Sequence, residues 1–113
     1  HTFAHAIESV TQYTWAHGEA VGLGLVAAGR LSRNLGLCDA SVSALIEDIV
    51  SEAGLPTRMS GIDPASLWAA MATDKKWLAG TSRFVLLKDL QQPIIVEGVS
   101  REDVIAVLKE VTR

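Results

Sequence analysis

The sequence predicts a mainly α-helical domain, with about five helices and one small β-hairpin, spanning residues 1–113. Apolar residues recur at helical spacings of three and four along most of the chain. The pattern changes only in two short runs rich in apolar and β-branched side chains, Arg83–Leu87 and Pro93–Glu97. Because only the short segment Lys88–Gln92 separates these runs, we expect them to pair as a hairpin.

The first two helices are predicted from apolar periodicity. Within residues 1–12, the apolar residues Phe3, Ala6, Ile7 and Val10 lie at helical spacings of three and four. The longest helical pattern runs from His17 to Leu35. Its core side is predicted to hold Val21, Leu25, Ala28 and Leu35, widened by Leu23, Val26 and Leu31. Gly18, Gly22, Gly24 and Gly29 disfavour an exposed helix, so they indicate close contact with a neighbouring backbone or ligand.

The remaining helices are predicted from their start and stop signals. Asp39 can cap a third helix that ends at Gly54, and Asp63-Pro64 is a typical start of a fourth. Ser100 and Asp103 resemble a capping box that opens the last helix. The third helix is expected to bury Val42, Leu45, Ile46, Ile49 and Val50, and the last one Val104, Ile105, Val107, Leu108 and Val111.

Composition excludes several classes of protein. The formal net charge is −3 and no basic run occurs, which argues against a nucleic-acid partner. The most apolar stretch, Ala20–Ala28, is far shorter than the ~20 residues that a membrane span needs, so no membrane partner is expected. The single cysteine, Cys38, cannot form an internal disulfide and fits the cytoplasm. We interpret it as a small apolar residue near a helix end.

All three histidines lie in the first seventeen residues, at His1, His5 and His17. On a helix His1 and His5 share one face with Glu8, and His17 can fold back beside them if the connection is tight. Imidazole is a common metal ligand, so the group is a candidate metal site to which Glu8 and Glu19 could also contribute. From spacing alone, ordinary polar residues on a half-exposed helix face are an equally good interpretation.

Three motifs together resemble a known family. The string HTFAHAIE begins at His1, HGEAV begins at His17, and DKK occupies residues 74–76 with Gly80 shortly after. In this order and at this separation they resemble the C-terminal domain of 3-dehydroquinate synthase, and the similarity extends over essentially the whole chain. One departure is Ala4, where family members usually have glycine.

The resemblance implies a lyase of the shikimate pathway, which leads to the aromatic amino acids. Such an enzyme converts the keto-acid phosphate DAHP to 3-dehydroquinate with release of phosphate, using NAD and a zinc or cobalt ion. By resemblance, His1 and His17 are metal ligands and His5 is a catalytic residue that contacts the substrate. Lys75 binds the substrate phosphate by the same argument, and we assign the adjacent Lys76 to substrate binding with it.

The resemblance also implies that other parts of the enzyme are needed. We expect a preceding NAD-binding domain, absent from this chain, to supply a third metal ligand. We also expect a homodimer in the full-length protein, and no activity from the chain alone. Gly18, Gly22 and Gly24 lie in a helical pattern, so we do not interpret them as a dinucleotide-binding loop.

Two alternatives stay open from the sequence. A cyclase acting on sedoheptulose 7-phosphate, of the 2-epi-5-epi-valiolone synthase kind, would share the fold and the metal motif. A non-catalytic helical module would instead leave the three histidines pointing apart.

Overall fold

A computed structural model describes residues 2–12, 14–72, 82–89 and 92–112. Within these residues it contains five helices and a two-stranded antiparallel sheet, as the sequence predicts. The elements in chain order are α1 (Thr2–Val10), α2 (His17–Asn34), α3 (Ala40–Glu52), α4 (Pro64–Met71), β1 (Arg83–Asp89), β2 (Gln92–Glu97) and α5 (Arg101–Val111). Both strands are slightly longer than predicted.

Helix α2 lies at the centre of the fold. It packs against α1, α3, α5 and β1, and α4 packs on α1 and α5. Leu23 and Leu31 on α2 have no exposed surface, and Val26 is 1% exposed. The core is therefore organised around one helix that presents several faces to its neighbours, which explains why its apolar stripe is wide.

The predicted core positions are wrong at three leucine and isoleucine residues. Leu25 on α2 is 48% exposed, and on α3 Leu45 and Ile49 are 43% and 52% exposed. On each helix, the apolar residues span a wider part of the circumference than the neighbouring elements cover. Periodicity predicts which side of a helix is apolar. Which residues of that side are buried depends on how the helix is rotated about its axis, and that is set by the elements that pack against it.

The helix boundaries follow the predicted signals with one exception. Gly36 and Gly54 have positive φ angles of 74° and 77° just after α2 and α3, a backbone conformation that glycine adopts without strain. The Asp63 carboxylate accepts a hydrogen bond from Ala65 N at 3.1 Å. Asp39 occupies the N-cap position of α3, but its side chain makes no capping hydrogen bond. The start of α3 therefore lacks the side-chain cap that the sequence predicted.

A close contact between α1 and α2 sets the geometry of the amino-terminal region. A Cβ atom at Gly24 would lie 3.3 Å from both Ala4 N and Phe3 Cβ. Ordinary side chains need more room, so a glycine here allows the backbone of α1 to approach α2 directly. This confirms the predicted close approach at Gly24, and Gly22 and Gly29 make similar close contacts with side chains of other elements. The same prediction is wrong at Gly18, which is exposed and where an added Cβ would have no described neighbour within 4 Å.

The hairpin is joined to the helices by both apolar and polar contacts. The Phe84 ring on β1 lies 5.3 Å, centroid to centroid, from the Phe3 ring on α1. The Leu87 backbone N donates to Ser32 Oγ of α2 at 3.0 Å. Val85 and Ile95 pair across the outward face and are 61% and 57% exposed. One face of the sheet is thus part of the core.

A cluster of ion pairs connects α2, α3 and α5. Arg30 on α2 pairs with Glu47 on α3, and its Nη1 lies 2.7 Å from Glu110 Oε1 on α5. Arg33 Nη2 lies 2.9 Å from the same oxygen, and Asn34 Nδ2 donates to Glu110 Oε2 at 3.1 Å. Glu110 therefore receives three hydrogen bonds from a single helix.

This cluster predicts a contribution to stability that depends on pH. Burial alone would raise the pKa of Glu110, but hydrogen bonds from Arg30, Asn34 and Arg33 outweigh it and hold this pKa below its usual value. The unfolded chain therefore takes up a proton first as the pH falls. The stabilisation is complete above about pH 4.3, the usual glutamate pKa, and is lost at lower pH.

A Glu110→Gln variant should therefore be less stable than the parent at neutral pH, and the difference should shrink in acid. Urea unfolding midpoints at about pH 6 and about pH 3 would measure it. Glu102→Gln, an exposed glutamate on the same helix, is the control. A difference between Glu110→Gln and parent that stays constant over this range would contradict the prediction.

Candidate functional site

The structure describes two of the five predicted site residues. His5 lies on α1 and is exposed, and His17 is the first residue of α2, with 63% of its side chain exposed. His1, Lys75 and Lys76 lie outside the described residues. The roles assigned to these three from the family resemblance therefore remain predictions.

A tight connection reverses the chain between α1 and α2. Thr11 Oγ1 donates to Ile7 O at 2.7 Å, and Thr14 Oγ1 donates to Thr11 O at 2.8 Å. Between them Gln12 has a φ angle of 54°, in the left-handed region that glycine usually occupies after a helix. These local bonds lie where α1 ends and the chain reverses direction. The start of α2 therefore lies beside α1, which is the condition under which the sequence allows His17 to lie near the first helix.

The reversal brings Glu8 of α1 against His17 of α2. His17 Nδ1 lies 2.9 Å from Glu8 Oε1, a normal hydrogen-bond distance. The Glu8 side chain is only 14% exposed. An ionised carboxylate can only accept, so opposite it Nδ1 carries the hydrogen, and a neutral ring would then have its lone pair on Nε2. This is the tautomer in which Nε2 can bind a metal ion.

Glu19 has a different role from the one considered for it. Its Oε1 accepts a hydrogen bond from the Ala16 backbone N at 3.0 Å, which is the reciprocal half of a capping box at the start of α2. The carboxylate also lies in the first helical turn, where the helix dipole favours a negative charge. Glu19 thus stabilises the backbone segment that carries His17.

The residues that the structure describes do not by themselves assemble a metal centre. They contain no group of three or more histidine, cysteine, aspartate or glutamate side chains arranged to hold an ion. The chemistry of His17 nevertheless fits a ligand, because metal-binding histidines usually donate their second ring N–H to a carboxylate or carbonyl. His17 has this arrangement with Glu8.

The glycines of α2 do not form a nucleotide-binding loop. Gly18, Gly22 and Gly24 all lie within the helix, as the sequence predicted. A dinucleotide-binding loop needs its glycines in the turn between a strand and a helix. Here Gly22 and Gly24 instead allow other elements to pack closely on α2.

Comparison with known proteins identifies the family. Residues 1–77 match the family described as 3-dehydroquinate synthase C-terminal. The chain belongs to this family. The 3-dehydroquinate synthase of Dehalococcoides mccartyi is 44% identical over 110 residues, and that of a Synechococcus species is 42% identical over 113 residues. These matches cover 97% and 98% of this chain, but only 31% of each relative.

Two solved structures share the fold of this chain. A crystal structure of 2-deoxy-scyllo-inosose synthase complexed with carbaglucose-6-phosphate, NAD+ and Co2+ aligns with a TM-score of 0.84 at 21% identity. The alignment covers 98% of this chain and 33% of that one. A second structure of a synthase of the same name gives a TM-score of 0.80 at 23% identity. Both confirm the predicted fold of the 3-dehydroquinate synthase C-terminal family.

The contact between Glu8 and His17 was only half predicted. The sequence placed Glu8 on the histidine-bearing face of α1 and considered it as a ligand, but did not identify it as the partner of His17. The two residues are nine apart and lie on different helices, so no fixed spacing signals their contact.

The described helices include none long and apolar enough to cross a membrane.

Proposed function

We propose that this chain is the metal- and substrate-binding C-terminal domain of a 3-dehydroquinate synthase. The full-length enzyme converts DAHP to 3-dehydroquinate with loss of phosphate, and a preceding domain binds NAD. The observation that carries this proposal is the 44% identity to a 3-dehydroquinate synthase, which extends over 97% of the chain.

In this proposal the opening helices supply the metal ligands of the domain. His17 and His1 bind zinc or cobalt, and a residue of the preceding domain completes a set of three protein ligands, the usual number in a catalytic zinc site. Glu8 supports the assignment of His17, because its carboxylate oxygen lies 2.9 Å from Nδ1 and Nε2 is then the nitrogen that would hold the metal.

The other site residues act on the substrate. His5 lies on the exposed side of α1, where it can contact a substrate held between the two domains. Lys75 and Lys76 hold the phosphate, for which a lysine ammonium is a compact point charge. A bound metal would supply polarisation of the substrate oxygens, and NAD would supply reversible hydride transfer.

The domain arrangement has consequences for the isolated chain. Residues 1–113 should not turn over DAHP alone, because the NAD site and one metal ligand belong to the preceding domain. The full-length protein is proposed to be a homodimer and to work in the cytoplasm.

The main alternative is a related cyclase with a different sugar phosphate. The two solved structures described above are 2-deoxy-scyllo-inosose synthases, but at 21% and 23% identity their similarity supports only the fold. The curated relatives named 3-dehydroquinate synthase are 41–44% identical. That identity supports DAHP as the substrate of the full-length enzyme.

Phosphate release distinguishes the two substrates. The purified full-length protein, with NAD and added Zn2+ or Co2+, should release phosphate from DAHP and form 3-dehydroquinate, while sedoheptulose 7-phosphate gives no cyclic product. The metal-stripped protein is the control, and should regain activity when the ion is returned. Cyclisation of sedoheptulose 7-phosphate without turnover of DAHP would overturn the proposed function.

A further inference from the structure

Glu8 is placed more rigidly than the histidine that it contacts. Its side chain is 14% exposed, whereas that of His17 is 63% exposed. The neighbouring positions Ala6 and Ile7 are each 3% exposed, so this turn of α1 is embedded in the core. The carboxylate therefore offers a fixed acceptor to an imidazole that lies largely in solvent.

The backbone below this contact is also fixed. Helix α1 approaches α2 closely where Gly24 meets Ala4, because a Cβ atom at Gly24 would lie only 3.3 Å from Ala4 N. The start of α2 is held by the Glu19 carboxylate, which accepts from Ala16 N. Both ends of the Glu8–His17 contact are thus attached to elements with little freedom to separate.

An exposed imidazole without such a partner can rotate about both side-chain torsions and exchange between tautomers. Each alternative must be given up when a metal binds, which weakens binding. A carboxylate on Nδ1 removes most of these alternatives in advance and makes Nε2 a more basic ligand. A contact of this kind therefore fixes the orientation and tautomer of a histidine ligand before the metal ion binds.

We propose that Glu8 is a positioning residue that holds the His17 ring and its tautomer ready for the metal ion. The inference rests on the proposed function, in which His17 is a ligand. It assigns to Glu8 no bond to the metal, which separates it from the earlier possibility that Glu8 is itself a ligand.

The test measures metal binding rather than turnover. Zn2+ affinity of the full-length protein is measured by competition with a chromophoric chelator, and the Co2+ form is examined by visible absorption. Glu8→Ala should lower the affinity about 10- to 100-fold, the usual cost of losing such a partner. Glu8→Gln should lose less, because its amide oxygen still accepts from Nδ1. Both variants should keep the visible bands of the Co2+ form, since the ligands are unchanged.

Glu19→Gln is the matched control. It removes one negative charge two residues from His17, and its amide oxygen can still accept from Ala16 N. Its affinity should match that of the parent. An equal loss in Glu19→Gln and Glu8→Gln would attribute the effect to charge alone and overturn the inference.

Two further results would overturn the inference about Glu8. One is an unchanged affinity in both Glu8 variants. The other is a Co2+ spectrum in Glu8→Gln that indicates a lost ligand, because Glu8 would then bind the ion directly. Should Glu8→Ala fail to fold, Glu8→Gln, which has nearly the same shape, decides the outcome. An unchanged affinity in His17→Ala would instead remove the ligand assignment in the proposed function.

Discussion

Replacing His17 by alanine should abolish metal-dependent turnover in the full-length protein. A catalytic metal contributes several kcal/mol of charge stabilisation in the transition state. Since each 1.4 kcal/mol is a factor of ten, we expect a loss of at least about 100-fold in kcat at a fixed metal concentration. Zinc content after dialysis, measured alongside turnover, should fall in parallel.

His5→Ala is the informative comparison for this prediction. His5 is also an exposed histidine in the same region, but the proposal places it on the substrate and not on the metal. This variant should keep its metal and lose turnover. Both side chains are exposed, so neither substitution should unfold the metal-free protein, although His17→Ala also removes the hydrogen bond to Glu8. A His17→Ala protein that retains both zinc and normal turnover would show that the ligand assignment is wrong.

Phe84→Ala should cause a large loss of stability. Phe84 is 2% exposed on β1, and its ring lies against Phe3 of α1 at 5.3 Å. Truncation removes buried apolar surface, leaves a cavity and deletes the ring contact between the hairpin and α1. Such substitutions cost about 3–5 kcal/mol, and the free energy of unfolding from urea titration would measure the change.

The neighbouring residue provides the control. Val85 follows Phe84 on the same strand but points outward and is 61% exposed. Val85→Ala should cost less than about 1 kcal/mol, which reflects strand preference without core packing. Similar losses in the two variants would mean that the inner face of the hairpin contributes little to the core.

Sequence signals predicted most of the fold because they act locally. The Asp63 carboxylate caps α4 two residues along the chain, and Gly36 and Gly54 take the left-handed conformation directly after α2 and α3. The hairpin is likewise short-range, with Phe84 opposite Val96. Where packing decides, the predictions were weaker, as the exposed Leu25 and Ile49 show.

In the candidate site, too, local features could be predicted from the sequence and long-range contacts could not. The two histidine motifs were visible in the sequence and, together with DKK at residues 74–76, they indicated the family that the comparison then confirmed. The partner of His17 was not visible, because the contact with Glu8 depends on the turn at Gln12 and on the angle between two helices. Spacing also could not predict which carboxylate contacts the imidazole, since Glu8 and Glu19 both lie within nine residues of His17. The structure shows that Glu8 makes this contact and that Glu19 caps α2.

The sequence by itself determined the helices, the hairpin and the residue types that can bind a metal, because each depends on near neighbours or on side-chain chemistry. Only the tertiary structure decided which apolar positions are buried and which carboxylate orients the imidazole. Those outcomes depend on how whole helices rotate and approach one another, and that is fixed by contacts between residues distant in the chain.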